Sequence, residues 1–212
     1  MFDILRNFAH FILVLNFILF LYRFKKENKR FKIFTIYLGV IVLIELLSTI
    51  IIKMGYENLF LSHFYFTGQF IILSLFYSEL LTEKYQKNIV KFNLVLVPII
   101  LGINFLIFPS QFHEFCLIEI LLTSTLLICY SVFHFYNMLS NKKEFYFINC
   151  GILIYMFGST VSFLPRNLHT IYGHSFSKTL HLLNIILYLV YLIFIFLNWT
   201  QINSIIKNEK RN

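Results

Sequence analysis

The stretch Ile4–Tyr22, ILRNFAHFILVLNFILFLY, runs directly into Arg23–Arg30, RFKKENKR, and this junction decides the fold. A cleavable export signal carries its positive charge before the apolar region and small residues after it. Here the order is reversed, so the segment is expected to stay as a first transmembrane helix. Its length is close to the roughly 20 apolar residues that a span requires.

Six more apolar runs follow, at about 33–52, 59–80, 89–108, 115–136, 145–164 and 176–199. They are too long and uninterrupted for strands and lack the alternation of a barrel. Helices also satisfy every backbone group within the segment, as lipid demands. The expected fold is therefore all-α: one domain over 1–212, an integral membrane bundle of seven transmembrane helices. Pro109 and Pro165 fall just past the fourth and sixth runs, where a residue without an N–H ends a helix at little cost. Pro98 lies inside the fourth run and predicts a kink there.

Composition excludes a water-soluble alternative. Of 212 residues, 58% are hydrophobic and 13% charged, about half the charged fraction of roughly 25% in a soluble domain. Seven spans consume about 140 positions, which leaves no room for a separate soluble domain. Cys116, Cys129 and Cys150 all lie in apolar runs, and an odd number of buried cysteines is no disulfide framework. The net charge of +8 sits between spans, where it reads as a topology signal; nucleic acid is not an expected partner.

Orientation follows from where Lys and Arg fall. Segments 23–32, 81–91, 138–145 and 199–212 hold 6, 3, 2 and 3 of them, 14 of the 18; only Arg6, Lys53, Arg166 and Lys178 lie elsewhere. The positive-inside rule then places the N-terminus outside and the C-terminus in the cytoplasm, with a bacterial inner membrane as the expected location. Six Lys or Arg in the first loop can also meet anionic headgroups of the lipid bilayer.

Ionisable and polar groups inside spans are costly and mark candidate sites. Glu45 is the clearest, in the outer half of the second helix. On the third helix His63, Thr67, Ser74 and Tyr77 share a line, with Gln69 pointing away from it. Glu119, Thr123, Tyr130, His134 and Asn137 form a stripe on the fifth, and His181, Asn184, Tyr188 and Tyr191 a broader one on the seventh. Such stripes face the bundle interior or a water-filled cavity. His10, Glu45, His63, Glu119 and His181 all fall in the outer half, below loops carrying His113, Glu114, Arg166, His169 and His174. The candidate site is an outward pocket of Glu45, His63, Glu119, His181, Tyr188, Gln69 and Arg166. Gly158 and Ser162 form a small-xxx-small pattern that predicts close approach of a neighbouring helix.

No catalytic residue and no cofactor are expected. His and Glu are suitable zinc ligands, but the chain has no His-Glu-x-x-His and no histidine pair at i, i+4, so whether a metal binds stays open. The ceramidase and adiponectin-receptor type of zinc-dependent hydrolase uses membrane aspartates, as do lysoplasmalogenase-type hydrolases; the single aspartate here is Asp3, outside the spans. A microbial-rhodopsin likeness fails because Lys178 is the only lysine near the last span, at its mouth rather than its middle.

In size, topology, basic first loop and aromatic-rich spans, the whole chain resembles small uncharacterised bacterial seven-transmembrane-helix proteins and the membrane module of diverse-intracellular-signalling seven-helix receptors. In those receptors a cytoplasmic output domain follows the seventh helix. Here only Thr200 to Asn212 follows, so the resemblance implies a separate cytoplasmic signalling partner. The expected function is a non-enzymatic sensor or accessory protein binding a small ligand or protons from the outer side. The alternatives are a small transporter or channel and, third, a metal-assisted intramembrane lipid hydrolase.

Overall fold

Each apolar run forms one helix, because a helix closes its hydrogen bonds within the segment. The computed structural model describes residues 2–114, 116–140, 143–163 and 169–209, with side chains at all of these except Asp3, His113, 169–175, Ser177 and 205–209. Seven α-helices are present among the described residues: α1 Phe2–Arg23, α2 Lys29–Lys53, α3 Phe60–Leu80, α4 Lys84–Ile107, α5 Leu117–Met138, α6 Tyr146–Phe163 and α7 His169–Glu209. A 3-10 turn, Pro109–His113, joins α4 to α5. All seven helices are long and apolar enough to cross a membrane, the organisation of a multi-pass helical membrane protein.

Several helices outrun the apolar stretches that define them, because a helix ends where its backbone is capped and not where hydrophobicity fades. α2 starts at Lys29 rather than 33, since the Asn28 side chain caps it by accepting from the Phe31 N–H at 3.0 Å. It stops at Gly55, whose φ of +81° lets the Gly55 N–H reach Ile52 O at 3.0 Å and the Tyr56 N–H reach Ile51 O at 3.1 Å. α4 begins at Lys84 and continues through Pro98, whose missing N–H leaves the Leu94 carbonyl without its helical donor. The largest difference is α7, expected over 176–199 but helical over 41 residues. At 1.5 Å per residue it is about 60 Å long, roughly twice the hydrocarbon core of a bilayer.

Six helices close a ring: α1 packs on α2, α2 on α3, α3 on α5, α5 on α6, α6 on α7, and α7 back on α1. α4 lies outside the ring against α3 and α5. Gln86, Val90, Val97 and Leu101 are its buried residues, while Phe92, Val95, Ile99, Ile103 and Leu106 stand exposed as an apolar flank suited to lipid. The middle of the ring is filled by aromatic and branched side chains, among them Phe34, Phe70, Leu73, Phe76, Tyr77, Ile152 and Leu192, each fully buried. Phe20 stacks on Phe31 with ring centroids 4.7 Å apart, joining α1 to α2.

Two glycines set the α6–α7 distance. A Cβ at Gly158 would meet Leu187 Cδ1 at 2.6 Å, and one at Gly151 would meet the Tyr191 ring at 2.9 Å and Phe194 Cβ at 3.0 Å. Close approach at Gly158 agrees with its small-xxx-small pattern; Gly151, one heptad earlier on the same face, extends the contact.

Polar ties hold the end opposite the N-terminus. Arg23 pairs with Glu27 at 2.7 Å and hydrogen-bonds Asn203 of α7. Arg30 donates from Nε to the Glu79 carbonyl at 2.8 Å and pairs with Glu144, while Lys29 meets Glu79 at 2.7 Å. α1 is further bound to α7 by Asn16 Nδ2 donating to Leu192 O at 2.9 Å and Trp199 Nε1 donating to Leu19 O at 3.2 Å.

Candidate functional site

At the end of the ring that carries the N-terminus, the helices spread around a cleft of about 310 Å³, the lower end of the range for ligand pockets, about 300–1,000 Å³. α1 supplies Arg6 and His10; α2 supplies Glu45 and Ser48; α3 supplies Ser62, Tyr65 and Phe66; α6 supplies Tyr155 and Phe163; α7 supplies His181, Asn184 and Tyr188. The sequence places these side chains by helical spacing: His181, Asn184 and Tyr188 recur at three and four residues, and Ser62 precedes Phe66 by four, so each set shares a face. Asn58, also in the lining, hydrogen-bonds Ser48 and ties the α2–α3 connection to the rim.

The mouth holds an acid–base pair. His10 Nε2 lies 3.2 Å from Glu45 Oε2, joining α1 to α2, and both side chains are 31% exposed. A contact open to this extent holds the helices weakly. Deeper in, the wall turns aromatic. The Tyr65 and Tyr155 hydroxyls are 3.3 Å apart, and the Tyr155 ring lies 5.5 Å from Tyr188 and stacks on Tyr191 at 5.4 Å and 4°. Phe66 meets Phe163 edge-on at 5.7 Å. Two buried polar atoms of the lining residues, Asn184 Oδ1 and Tyr188 OH, have no hydrogen-bond partner among the described residues. Lone buried acceptors are costly, and these two belong to residues that border an open cavity.

The structure divides the expected group of site residues in two. Glu45, His181 and Tyr188 line the cleft together with His10. His63 and Glu119 lie outside it, where α3 meets α5 beneath the 3-10 turn. His63 Nδ1 is 2.5 Å from Glu119 Oε2, His63 Nε2 is 3.1 Å from the Phe112 carbonyl, and Thr67 Oγ1 donates to Glu119 Oε1 at 2.8 Å. Phe105 packs edge-on against the His63 ring and Phe112 stacks over it, at 4.9 and 5.2 Å. This couple joins three elements and leaves no room for a ligand between its members.

Gln69 also lies off the cleft. It points away from the His63 line, yet it is buried, donating from Nε2 to Tyr37 OH at 2.8 Å. The reason is packing: α2, α4 and α5 all lie against α3, so more than one of its faces is interior. Arg166 lies outside the described residues, as do the side chains of His113, His169 and His174. Glu114 is exposed.

His10, named with the outer-half group, does border the cleft, whereas Tyr65 and Tyr155, which complete it, were not singled out by sequence patterning. A tyrosine in an apolar span looks like core until its hydroxyl is seen to open on a cavity. Among the described residues no group of three or more His, Cys, Asp or Glu is placed to hold a metal ion.

A second, smaller cavity of about 230 Å³ lies at the basic end, bordered by Arg30, Thr82, His134, Asn137 and Glu144. His134 Nε2 donates there to the Glu144 carbonyl at 2.9 Å, and Asn137 Nδ2 to Gln86 Oε1 at 2.7 Å. Between the two cavities stands the packed layer of Phe70, Leu73, Tyr77 and Ile152. No family model, curated protein or solved structure matches the chain.

Proposed function

We propose that this chain is a non-enzymatic membrane sensor or accessory protein whose cleft takes a small ligand from the outer side of a bacterial cytoplasmic membrane. The N-terminus is then outside and the basic loops cytoplasmic, an orientation supported by the 14 of 18 Lys and Arg on those segments.

One observation carries the reading. The helix that lines the cleft with His181, Asn184 and Tyr188 is the same unbroken helix that ends at Glu209. From Tyr188 to Glu209 it extends about 30 Å, past the layer that closes the cleft from below. A ligand seated between α2 and the α1–α7 pair has a rigid lever to act on, provided it binds one helix arrangement better than another. The His10–Glu45 contact is weak and only partly buried, so a ligand can replace it at small cost. A separate cytoplasmic protein docking on the basic end would receive the movement.

The second cavity favours one other reading, a small transporter in which the two cavities open alternately. The packed layer between them supports the sensor instead.

The test is a thermal-shift screen of a small-molecule library on protein in nanodiscs, run beside Ile44→Trp, which fills the cleft. Compounds that raise the midpoint of wild type and not of the variant are expected. A library in which every active compound acts equally on both proteins overturns the cleft as a ligand site. Flux of a cleft-dependent compound into proteoliposomes would replace the sensor with the transporter. For orientation, with the native cysteines replaced, an impermeant maleimide should label Glu57→Cys in intact cells and Ser140→Cys only after permeabilisation; the opposite pattern reverses the topology.

A further inference from the structure

We infer that the ligand class for the cleft is a small organic amine bound as its ammonium, an inference that rests on the cleft being a ligand site. Glu45 is the one carboxylate among the described lining residues. It sits where α1, α2 and α7 converge and meets His10 through Oε2 at 3.2 Å. Arg6 and His181, the other basic members of the lining, are both engaged within the protein, and the His181 ring lies against Phe2 at 6.0 Å.

Two further polar side chains belong to the lining. Asn184 Oδ1 is a buried acceptor without a donor, and Tyr188 OH is a buried hydroxyl without a partner. An ammonium brings up to three donors and no acceptor, which suits the Glu45 carboxylate at the cleft. A carboxylate ligand would meet Glu45 as a like charge, and an alcohol has a single proton to give.

The aromatic side chains supply the second element of recognition. Tyr65, Tyr155 and Tyr188 come from three helices and border the same cavity. A cation within about 6 Å of such ring faces is attracted by their quadrupoles, more strongly where water is excluded. Tyr155 stacks on Tyr191 and lies beside Tyr188 at 5.5 Å, so the aromatic wall is fixed by packing. Phe66 and Phe163 close the far wall with apolar surface, suited to a ring or short chain on the amine. The volume of about 310 Å³ admits a single ring with a short side chain.

The experiment uses three probes on the full chain in nanodiscs, the isosteric 2-phenylethylamine and 2-phenylethanol and the slightly larger 3-phenylpropionate, with affinities measured by calorimetry. The amine is expected to bind at least about tenfold more tightly than the alcohol, as a charge-assisted bond implies, and the propionate more weakly still. Glu45→Gln should bring the amine down to the alcohol, and Glu45→Asp should keep most of the difference.

Equal binding of amine and alcohol to wild type, or an amine preference that survives Glu45→Gln, overturns the inference. So does absence of amine binding. These failures are distinguishable from failure of the cleft itself, because the Ile44→Trp screen reports on the cleft with any compound.

Discussion

His63 and Glu119 hold each other at 2.5 Å across α3 and α5, with their side chains 5% and 1% exposed. The second ring nitrogen faces the Phe112 carbonyl, which only accepts, so Nε2 carries a hydrogen and one further proton lies between Nδ1 and the carboxylate. With that proton the couple is neutral overall, which is how two ionisable groups tolerate burial within a span.

A prediction follows from counting donors. In Glu119→Gln the amide can donate to His63 Nδ1 and still accept from Thr67, so every hydrogen bond survives and stability should be nearly unchanged. Glu119→Leu strands His63 Nδ1 and the Thr67 hydroxyl and should cost about 3–5 kcal/mol, the usual penalty for breaking a buried pair. Thermal unfolding of both variants in nanodiscs checks this. A Gln variant as damaged as the Leu variant would mean that the negative charge itself is needed.

The two glycines of α6 should differ. A methyl at Gly158 meets the end of the flexible Leu187 side chain, which can rotate aside. A methyl at Gly151 meets the Tyr191 ring, Phe194 Cβ at 3.0 Å and the Tyr191 backbone carbonyl at 3.4 Å, which cannot move without shifting α7. Gly151→Ala should therefore destabilise by about 1–3 kcal/mol, and Gly158→Ala by clearly less. Thermal midpoints of the two variants, measured side by side, decide; equal losses would show that α7 adjusts as readily at both positions.

How much of this was legible in the sequence depends on the kind of signal. Seven helices follow from run length alone, because the need to close backbone bonds in lipid leaves few options. The buried stripe of α5 was equally legible: Glu119, Thr123, Tyr130, His134 and Asn137 share a face and are all buried. Gln69 shows where periodicity stops informing, since one stripe per helix presumes one interior face and α3 has neighbours on several. The position of α4 outside the ring has no counterpart in any local pattern. Glu45 and His63 look alike in sequence, each an ionisable group within an apolar run. Only three-dimensional neighbours separate the one that borders a cavity from the one sealed against its partner.

Tyr77 and Asn149 make a further test at mid-depth. Tyr77 OH donates to Asn149 Oδ1 at 2.7 Å, while Asn149 Nδ2 donates to the Ser131 carbonyl at 3.1 Å, linking α3, α5 and α6. Tyr77→Phe keeps the ring that packs against Phe76 and Tyr130 and removes only the hydroxyl. The expected loss is about 0.5–1.5 kcal/mol, since hydrogen bonds between membrane helices are worth little more than those in water. A loss above about 3 kcal/mol, measured by unfolding in mixed micelles, would show that the three-helix junction acts as one cooperative unit.

Asn198 presents the opposite case. It is 1% exposed on α7, and neither its Oδ1 nor its Nδ2 has a hydrogen-bond partner among the described residues. A buried amide without partners costs about 1–3 kcal/mol relative to an apolar group of similar shape, so Asn198→Leu should stabilise the protein and raise its thermal midpoint. If α7 is the lever of a sensor, the same substitution carries a functional cost. Replacing an ill-satisfied group by well-packed Leu deepens one helix arrangement and makes the shift to another harder. The measurement pairs the thermal midpoint with a distance between spin labels at the α7 end and on α5, taken with and without a cleft-dependent compound. A raised midpoint with a diminished ligand-induced distance change is the expected result. A raised midpoint with an undiminished change would leave Asn198 outside the signalling path, and a lowered midpoint would show that its amide is satisfied after all.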